Sequence, residues 1–289
     1  MPSYLHHASP PPRSKVRAFI HTFLVILVPF VLAFLASWFF TRRPSKKMKT
    51  KKKKTLGQIL PDPRDGAHQA LLEPIPRCGV LIVGDVHGCL SELQALIHRH
   101  RVQYPEMPVV FVGDIVNKGP FSAECVAFIR SLPCSYAVRG NHDDEALRHI
   151  FLATKTREPP PERYQWTQKL SVPDVEWLQN LPYSLAIPAL GVLVVHAGID
   201  PGTPLANQSA EVMTTTRGWA HIYDGRHGFI VFGHDARSGL QQHSHAWGID
   251  TGCVYGRRLS AARVWVEGEA VQRELVSVDA LDVYEVHKG

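Results

Sequence analysis

Hydrophobic and polar positions divide the chain into two regimes. From Ala18 to Phe40 the sequence AFIHTFLVILVPFVLAFLASWFF runs 23 residues without a formal charge. As a helix it would extend roughly 35 Å, enough to cross a bilayer core. Beyond Cys78 the apolar runs shorten to four or five residues: Gly79 to Val83, Pro108 to Val112, Tyr136 to Arg139, Gly191 to Val195 and Phe229 to Gly233. Such runs predict buried strands. The first three are each followed by a polar turn and a segment with helical spacing, predicting helices over 90–98, over 122–130 and after Asp143. Three successive strand-helix units imply a largely parallel inner sheet in an α/β domain, with its ligands at the carboxyl ends of the strands.

Those ends carry the chemistry. The first strand runs into Gly84-Asp85-Val86-His87-Gly88, the second into Gly113-Asp114, the third into Gly140-Asn141-His142-Asp143, and the later two into His196 and into Gly233-His234. Carboxylates and imidazoles grouped in this way suit Mn²⁺, Zn²⁺, Co²⁺ or Fe²⁺ better than Mg²⁺ or Ca²⁺, and a carboxylate can bridge two cations. Two bridged cations can clamp a phosphoryl group and make hydroxide from water near neutral pH. Any one block alone reads as a capped turn; five in order, each after an apolar run, read as a metal site.

Composition changes the picture at the N-terminus. The formal net charge is +6, yet residues 1–54 hold 12 Lys and Arg and no acid, so the remaining 235 residues carry 20 basic and 26 acidic groups. The basic character belongs to a tail. Trp38, Phe39 and Phe40 followed by Arg42 and Arg43 fit an aromatic interface belt, and the excess of basic residues after the span predicts a single-pass anchor with the catalytic body in the cytosol. The alternative is an organelle lumen such as the vacuole. The expected organisation is a short tail (1–17), a transmembrane anchor (18–40), a basic and Pro-rich linker (41–77) and a catalytic domain (78–289). The cluster RRPSKKMKTKKKK is foremost a topology signal and secondarily a contact for anionic lipid. Five scattered cysteines without a C-x-x-C pair argue against a disulfide framework.

The blocks GDVHG, GDIV, GNHD, H196 and GH234, in that order, resemble the calcineurin-like metallophosphoesterase superfamily. GDIVNKGP, HAGIDPGTPLANQ and WGIDTGCVYGRRLSA are similar to the ApaH-like phosphatases, relatives of diadenosine tetraphosphate hydrolase and of the serine/threonine protein phosphatases. The resemblance implies a metallophosphoesterase β-sandwich flanked by helices and preceded here by the N-terminal transmembrane helix. It implies two divalent ions, the first held by Asp85 and His87, the second by Asn141, His196 and His234, with Asp114 bridging. His142 would protonate the leaving oxygen, and Lys118, Arg139 and Arg217 would neutralise phosphate oxygens.

Two departures bear on substrate. Lys118 stands where protein phosphatases have Arg, offering a point charge in place of a fork. Asn117 stands where they have Asp; its carbonyl can accept the imidazole N–H but supplies no negative charge, so His142 should be the weaker base. That suits a leaving group that is itself a phosphate. The expected activity is therefore phosphoanhydride cleavage by attack of metal-bound hydroxide, on polyphosphate, dinucleoside polyphosphate or related nucleotides. The alternatives are a serine/threonine protein phosphatase and an inactive membrane scaffold. Specific nucleic-acid binding is not expected from an acidic body. Tyr164, Trp166, Trp219, Tyr223, Trp247 and Tyr255 are core or rim aromatics by default, with base stacking as the functional reading. The insertion at 154–163 reads as a rim loop.

Overall fold

A computed structural model describes residues 69–286, except 74 and 76. The anchor expected over 18–40 lies outside the described residues, and among those described no helix is long and apolar enough to cross a membrane. The elements in chain order are β1 (Gln69–Leu71), β2 (Val80–Val83), α1 (Leu90–Gln103), β3 (Val109–Phe111), α2 (Ser122–Ser131), β4 (Ser135–Ala137), α3 (Asn141–Thr156), α4 (Val172–Gln179), β5 (Ser184–Ile187), β6 (Val192–Val195), α5 (Ala210–Thr215), β7 (Phe229–Phe232), β8 (Gln241–Gln242), β9 (Ala246–Gly248), β10 (Arg258–Glu267) and β11 (Ala270–Asp279).

They form two mixed sheets, a six-stranded one ordered β1-β5-β6-β7-β9-β8 and a five-stranded one ordered β11-β10-β2-β3-β4. Alternate residues of each central strand explain the layering. Val80 and Ile82 of β2, Ala262 and Val264 of β10, Val192 and Val194 of β6, and Val231 of β7 share one apolar layer between the sheets. Leu81, Val83 and Phe111 face the other way, onto Leu93, Leu96, Val126, Ile129 and Leu147 of the helices. Leu193, Val195, Ile230 and Phe232 cover the outer side of the second sheet with Trp219 and Tyr223. A strand buried on both faces cannot show polar alternation, which is why β2, β6 and β7 read as continuous apolar runs.

Two features differ from the sequence reading. The parallel pairing extends only over β2, β3 and β4 and over β6, β7 and β9, apart from the short β1–β5 pair; β5, β8, β10 and β11 pair antiparallel. The ten-residue β10 and β11 hairpin turns at Gly268, whose φ of +62° lies in the left-handed region that tight hairpin turns demand. β10 is buried from Leu259 to Val264 but includes Ser260 and Arg263, and β11 is half-buried with Gln272, Arg273 and Glu274 among its apolar residues, so neither strand shows an uninterrupted apolar run. In addition, β1 pairs in parallel with β5, so the sheet draws on the segment expected to be linker, ahead of Cys78.

Candidate metal centre

Three strands of the five-stranded sheet and two of the six-stranded one end at a common cleft. β2 delivers Asp85 and His87, β3 delivers Asp114, and the turn after β4 delivers Asn141 and His142 at the start of α3. β6 delivers His196 and β7 His234. Sharp turns place them: His87, Asp114, Asn117, Lys118 and His234 all have positive φ, five of the seven such non-glycine residues described. Backbone strain of this kind persists where the surrounding structure imposes it, and it gathers at functional sites. Two glycines make room for the carboxylates. A Cβ at Gly140 would lie 2.2 Å from Asp114 Oδ1, and one at Gly233 would lie 1.9 Å from Asp85 Oδ1.

Asp114 sits at the centre. Its Oδ2 is 3.5 Å from His87 Nε2 and its Oδ1 3.4 Å from His196 Nε2. Two triads with mutually close donor atoms, His87/Asp114/His142 and Asp114/His196/His234, therefore share this one carboxylate. Asp85 Oδ2 lies 3.9 Å from His87 Nε2. Asn141 Oδ1 is 3.0 Å from both His196 Nε2 and His234 Nδ1. Both of the most buried imidazoles are oriented by main chain: His87 Nδ1 bonds Val116 O at 3.0 Å and His196 Nδ1 bonds Val112 O at 2.9 Å. That leaves each Nε2 lone pair facing inward, the arrangement that supports metal-ligating histidines.

Electrostatics fit a cation. Burial, then Asp250 and Asp114, push Asp85 well above the usual carboxylate range; burial pushes Asp114 up to about 7. Burial lowers His196 and His234 to about 3, and burial followed by the Lys118 charge lowers His87. Acids that resist ionising and imidazoles that resist protonation describe a site whose missing partner is positive charge. The ammonium of Lys118, 2.7 Å from His87 Nε2, already supplies one such charge. Donor chemistry and the shared carboxylate suit two divalent ions.

The surrounding cleft, about 450 Å³, is lined by Lys118, His142, Arg217, Asp235, Arg237 and Tyr255 beside Asp114, Asn141 and His234. Lys118 stands 5.4 Å from the Tyr255 ring centroid. Arg139 is placed elsewhere: it is buried, donating to Asp144 Oδ1 at 3.2 Å, to Tyr183 Oη at 3.3 Å and to Gln179 O. Of the six aromatics, Tyr255 lines the cleft. Trp219, Tyr223 and Trp247 pack with Phe232, His245 and Phe229, and Tyr164 stacks on His149.

Asn117 is bound differently from the expectation. Its Oδ1 accepts from Trp166 Nε1 at 3.2 Å, while its Nδ2 donates to His142 O at 2.8 Å and faces His142 Nδ1 at 3.5 Å. Indole N–H is only a donor and a peptide carbonyl only an acceptor, so the two ends fix the amide orientation. The carbonyl is thus turned away from the imidazole, and Nδ1 of His142 meets an N–H. Burial, then the charge of Lys118, holds His142 at about 2.

The sequence reading missed three contributors. Asp250, after β9, is buried, hydrogen-bonded to the Asp85 side chain, and lines the cleft; an acid directly after an apolar strand was its signal. Asp143 accepts from Ile115 N at 3.1 Å and Gly140 N at 2.9 Å, tying two site loops. Trp166 gave no signal of its role, which depends on a contact 49 residues away in sequence.

Comparison with known proteins places this cleft. The asymmetrical bis(5'-nucleosyl)-tetraphosphatase PrpE of Oceanobacillus iheyensis is 29% identical over 233 residues, 68% of this chain and 90% of its own length. The symmetrical bis(5'-nucleosyl)-tetraphosphatase of Thioalkalivibrio sulfidiphilus is 28% identical over 260 residues, covering 64% and 94%. The symmetrical enzyme of Coxiella burnetii is 36% identical over 126 residues, 42% of each chain. A solved structure of a candidate diadenosine tetraphosphatase covers 75% of this chain and all of its own, at 33% identity and a TM-score of 0.63. The calcineurin-like phosphoesterase profile matches residues 79–263, which contain every residue of the cleft. The chain thus belongs to the calcineurin-like phosphoesterases, and it is a metal-dependent hydrolase of phosphoric esters or anhydrides.

Proposed function

We propose that this chain cleaves phosphoanhydride bonds of dinucleoside polyphosphates or related nucleotide polyphosphates, or of polyphosphate itself. Asp85 and His87 would hold one divalent ion, Asn141, His196 and His234 the other, and Asp114 both. When bound, the pair supplies Lewis-acid polarisation of the phosphoryl oxygens and lowers the pKa of coordinated water. The chain's own residues do the rest. Lys118 and Arg217 neutralise non-bridging oxygens from the cleft wall, joined by Arg237 along the leaving chain, and Tyr255 offers a flat apolar face to a base. Arg139, engaged with Asp144, Tyr183 and Gln179, positions α3 instead of touching substrate.

The observation that carries the reading is the locked amide of Asn117. With an N–H opposite Nδ1, the imidazolium form of His142 is disfavoured, and its Nε2–H serves as a hydrogen-bond donor to the departing oxygen instead of giving up a proton fully. A leaving phosphate needs no more; a serine alkoxide does. The names of the relatives above point to the same bond type. The domain organisation, the single-pass anchor over 18–40 and the cytosolic body are part of the same proposal, supported by the apolar run and the basic residues that follow it.

Hydrolysis by the full chain of diadenosine tetraphosphate, followed by its nucleotide products, of polyphosphate, followed by chain shortening and free phosphate, and of a phosphoserine peptide, followed by phosphate release, under Mn²⁺, Co²⁺ and Zn²⁺ with Asp114→Asn as control, tests the activity. Fast anhydride cleavage with an inert peptide is expected. Preference for the peptide would move the protein to the protein phosphatases, and turnover undiminished in Asp114→Asn would overturn the metal assignment.

A further inference from the structure

Beneath the catalytic cleft lies a second group of metal-binding side chains. Cys89, at the entry to α1, Glu92, one turn later, and Cys253, in the loop after β9, each present a donor atom within 4.8 Å of the others. All three are at most 2% exposed. Two buried thiols alone would pass as small apolar side chains. The carboxylate does not. Glu92 Oε1 accepts from Leu281 N and from Tyr284 Oη, both at 2.9 Å, whereas Glu92 Oε2 is buried with no hydrogen-bond partner. A buried carboxylate that keeps one oxygen without a donor, within 4.8 Å of two sulfurs, carries a cost that a cation would remove.

We infer that Cys89, Cys253 and Glu92 form a third metal site, distinct from the catalytic pair and selective for a soft divalent ion such as Zn²⁺, Co²⁺ or Cd²⁺. Two sulfurs and one oxygen around Zn²⁺ stand roughly 3.5–3.8 Å apart, a contraction of at most about 1.3 Å from the present 4.8 Å bound. Thiolates discriminate against Mn²⁺ and Mg²⁺, so the two kinds of site do not compete for the same hard ions. Binding exchanges one divalent ion for the two thiol protons, and no oxidant is involved. Cys89 is two residues beyond His87 and Cys253 three beyond Asp250, so the ion pins two catalytic loops from below. Through Glu92 it also ties down the segment from Leu281 to Tyr284, whose backbone already bonds Val254 O through Tyr284 N at 3.0 Å.

Cobalt separates this site from the catalytic one, because the catalytic ligands are nitrogen and oxygen only. Titrating the full chain with Co²⁺ should produce a thiolate-to-cobalt charge-transfer band saturating at one ion per chain. The band should vanish in Cys89→Ser/Cys253→Ser, while Mn²⁺-dependent hydrolysis by that variant shows that it folds. Glu92→Gln, which keeps the acceptor for Leu281 and Tyr284, should weaken the cobalt affinity by more than about tenfold and serves if the double variant does not fold. Absence of the band at saturating Co²⁺, its survival in the double variant through Cys78, Cys125 or Cys134, or an undiminished affinity in Glu92→Gln would each overturn the inference.

Discussion

Replacing Asn117 by Asp would test how the cleft chooses its leaving group. The substituted side chain can still accept from Trp166, but its second oxygen would face His142 O, where the amide now donates across 2.8 Å. Losing that bond in a position 1% exposed should cost about 1–3 kcal/mol of stability. Against this, a carboxylate at the 3.5 Å now separating Nδ2 from His142 Nδ1 would favour imidazolium by about 4–5 kcal/mol at an effective dielectric constant near 20. That equals roughly three powers of ten in proton affinity. The histidine would then act as a proton donor. Rates on an aryl and alkyl phosphate series, compared with diadenosine tetraphosphate, should show the consequence. For poor leaving groups kcat/KM should rise by about 10–100-fold, while the anhydride changes by only a few-fold, so the dependence on leaving-group acidity flattens. An unchanged slope, or an equal loss on every substrate, would refute the link between the amide orientation and the chemistry.

Four further outcomes follow. Asp114→Asn keeps the acceptor for His142 N at 2.9 Å yet loses the bridging charge, so steady-state turnover should fall on the order of 10³-fold, about 4 kcal/mol, with the thermal midpoint little changed. Trp166→Phe removes the donor that fixes Asn117 and should reproduce part of the Asn117→Asp change in leaving-group dependence, which a merely structural contact would not. Gly233→Ala, whose Cβ would strike Asp85 Oδ1 and Val112 Cγ2, should lower stability by about 1–3 kcal/mol in thermal melts and weaken Mn²⁺ binding by calorimetry. Finally, stabilisation by Mn²⁺ should grow as pH rises. Asp114 and Asp143, raised to about 7 and about 8, hold protons in the folded metal-free chain that the unfolded chain has lost, so their contribution falls as pH climbs from about 4 toward 8. His142, His196 and His234 are depressed and act oppositely, losing stability as pH drops below about 6.5. A cation reverses the carboxylate penalty; equal Mn²⁺-induced shifts in melting at about pH 5.5 and about pH 8 would contradict this account.

The central strands and the residues at their ends were legible because their pattern is local. An apolar run of four that stops at Gly-Asp or Gly-Asn-His states both the strand and its polar cap. What stayed hidden depends on partners distant in sequence. The β10 and β11 hairpin buries mixed positions, so no period betrays it. Arg139 looks the same on paper as Arg217, yet one closes a buried network with Tyr183 and Gln179 and the other lines the cleft. The direction of the Asn117 amide is set by an indole from a 3₁₀ segment, Glu162–Lys169, that composition marks only as polar. Asp250 followed the strand-end rule as plainly as the others and needed only to be read with β9.

The distribution of ligands over the two sheets has a mechanical corollary. In the proposed assignment the first cation position draws on the ends of β2 and β3, neighbours joined by a hydrogen-bonded ladder, so its geometry would be as stiff as one sheet. The proposed second position draws on Asn141 and Asp114 from that sheet and on His196 and His234 from the other, so it spans a joint held by apolar packing and a few hydrogen bonds, such as Arg139 N to Pro182 O at 2.8 Å and His196 Nδ1 to Val112 O at 2.9 Å, and by no continuous ladder. Sliding of one sheet over the other changes the second coordination sphere while sparing the first. Loading should therefore be sequential, with the second ion exchanging faster, and the rigidity of the apolar layer, set by residues such as Ile82 and Val194, becomes a determinant of how long both ions stay together.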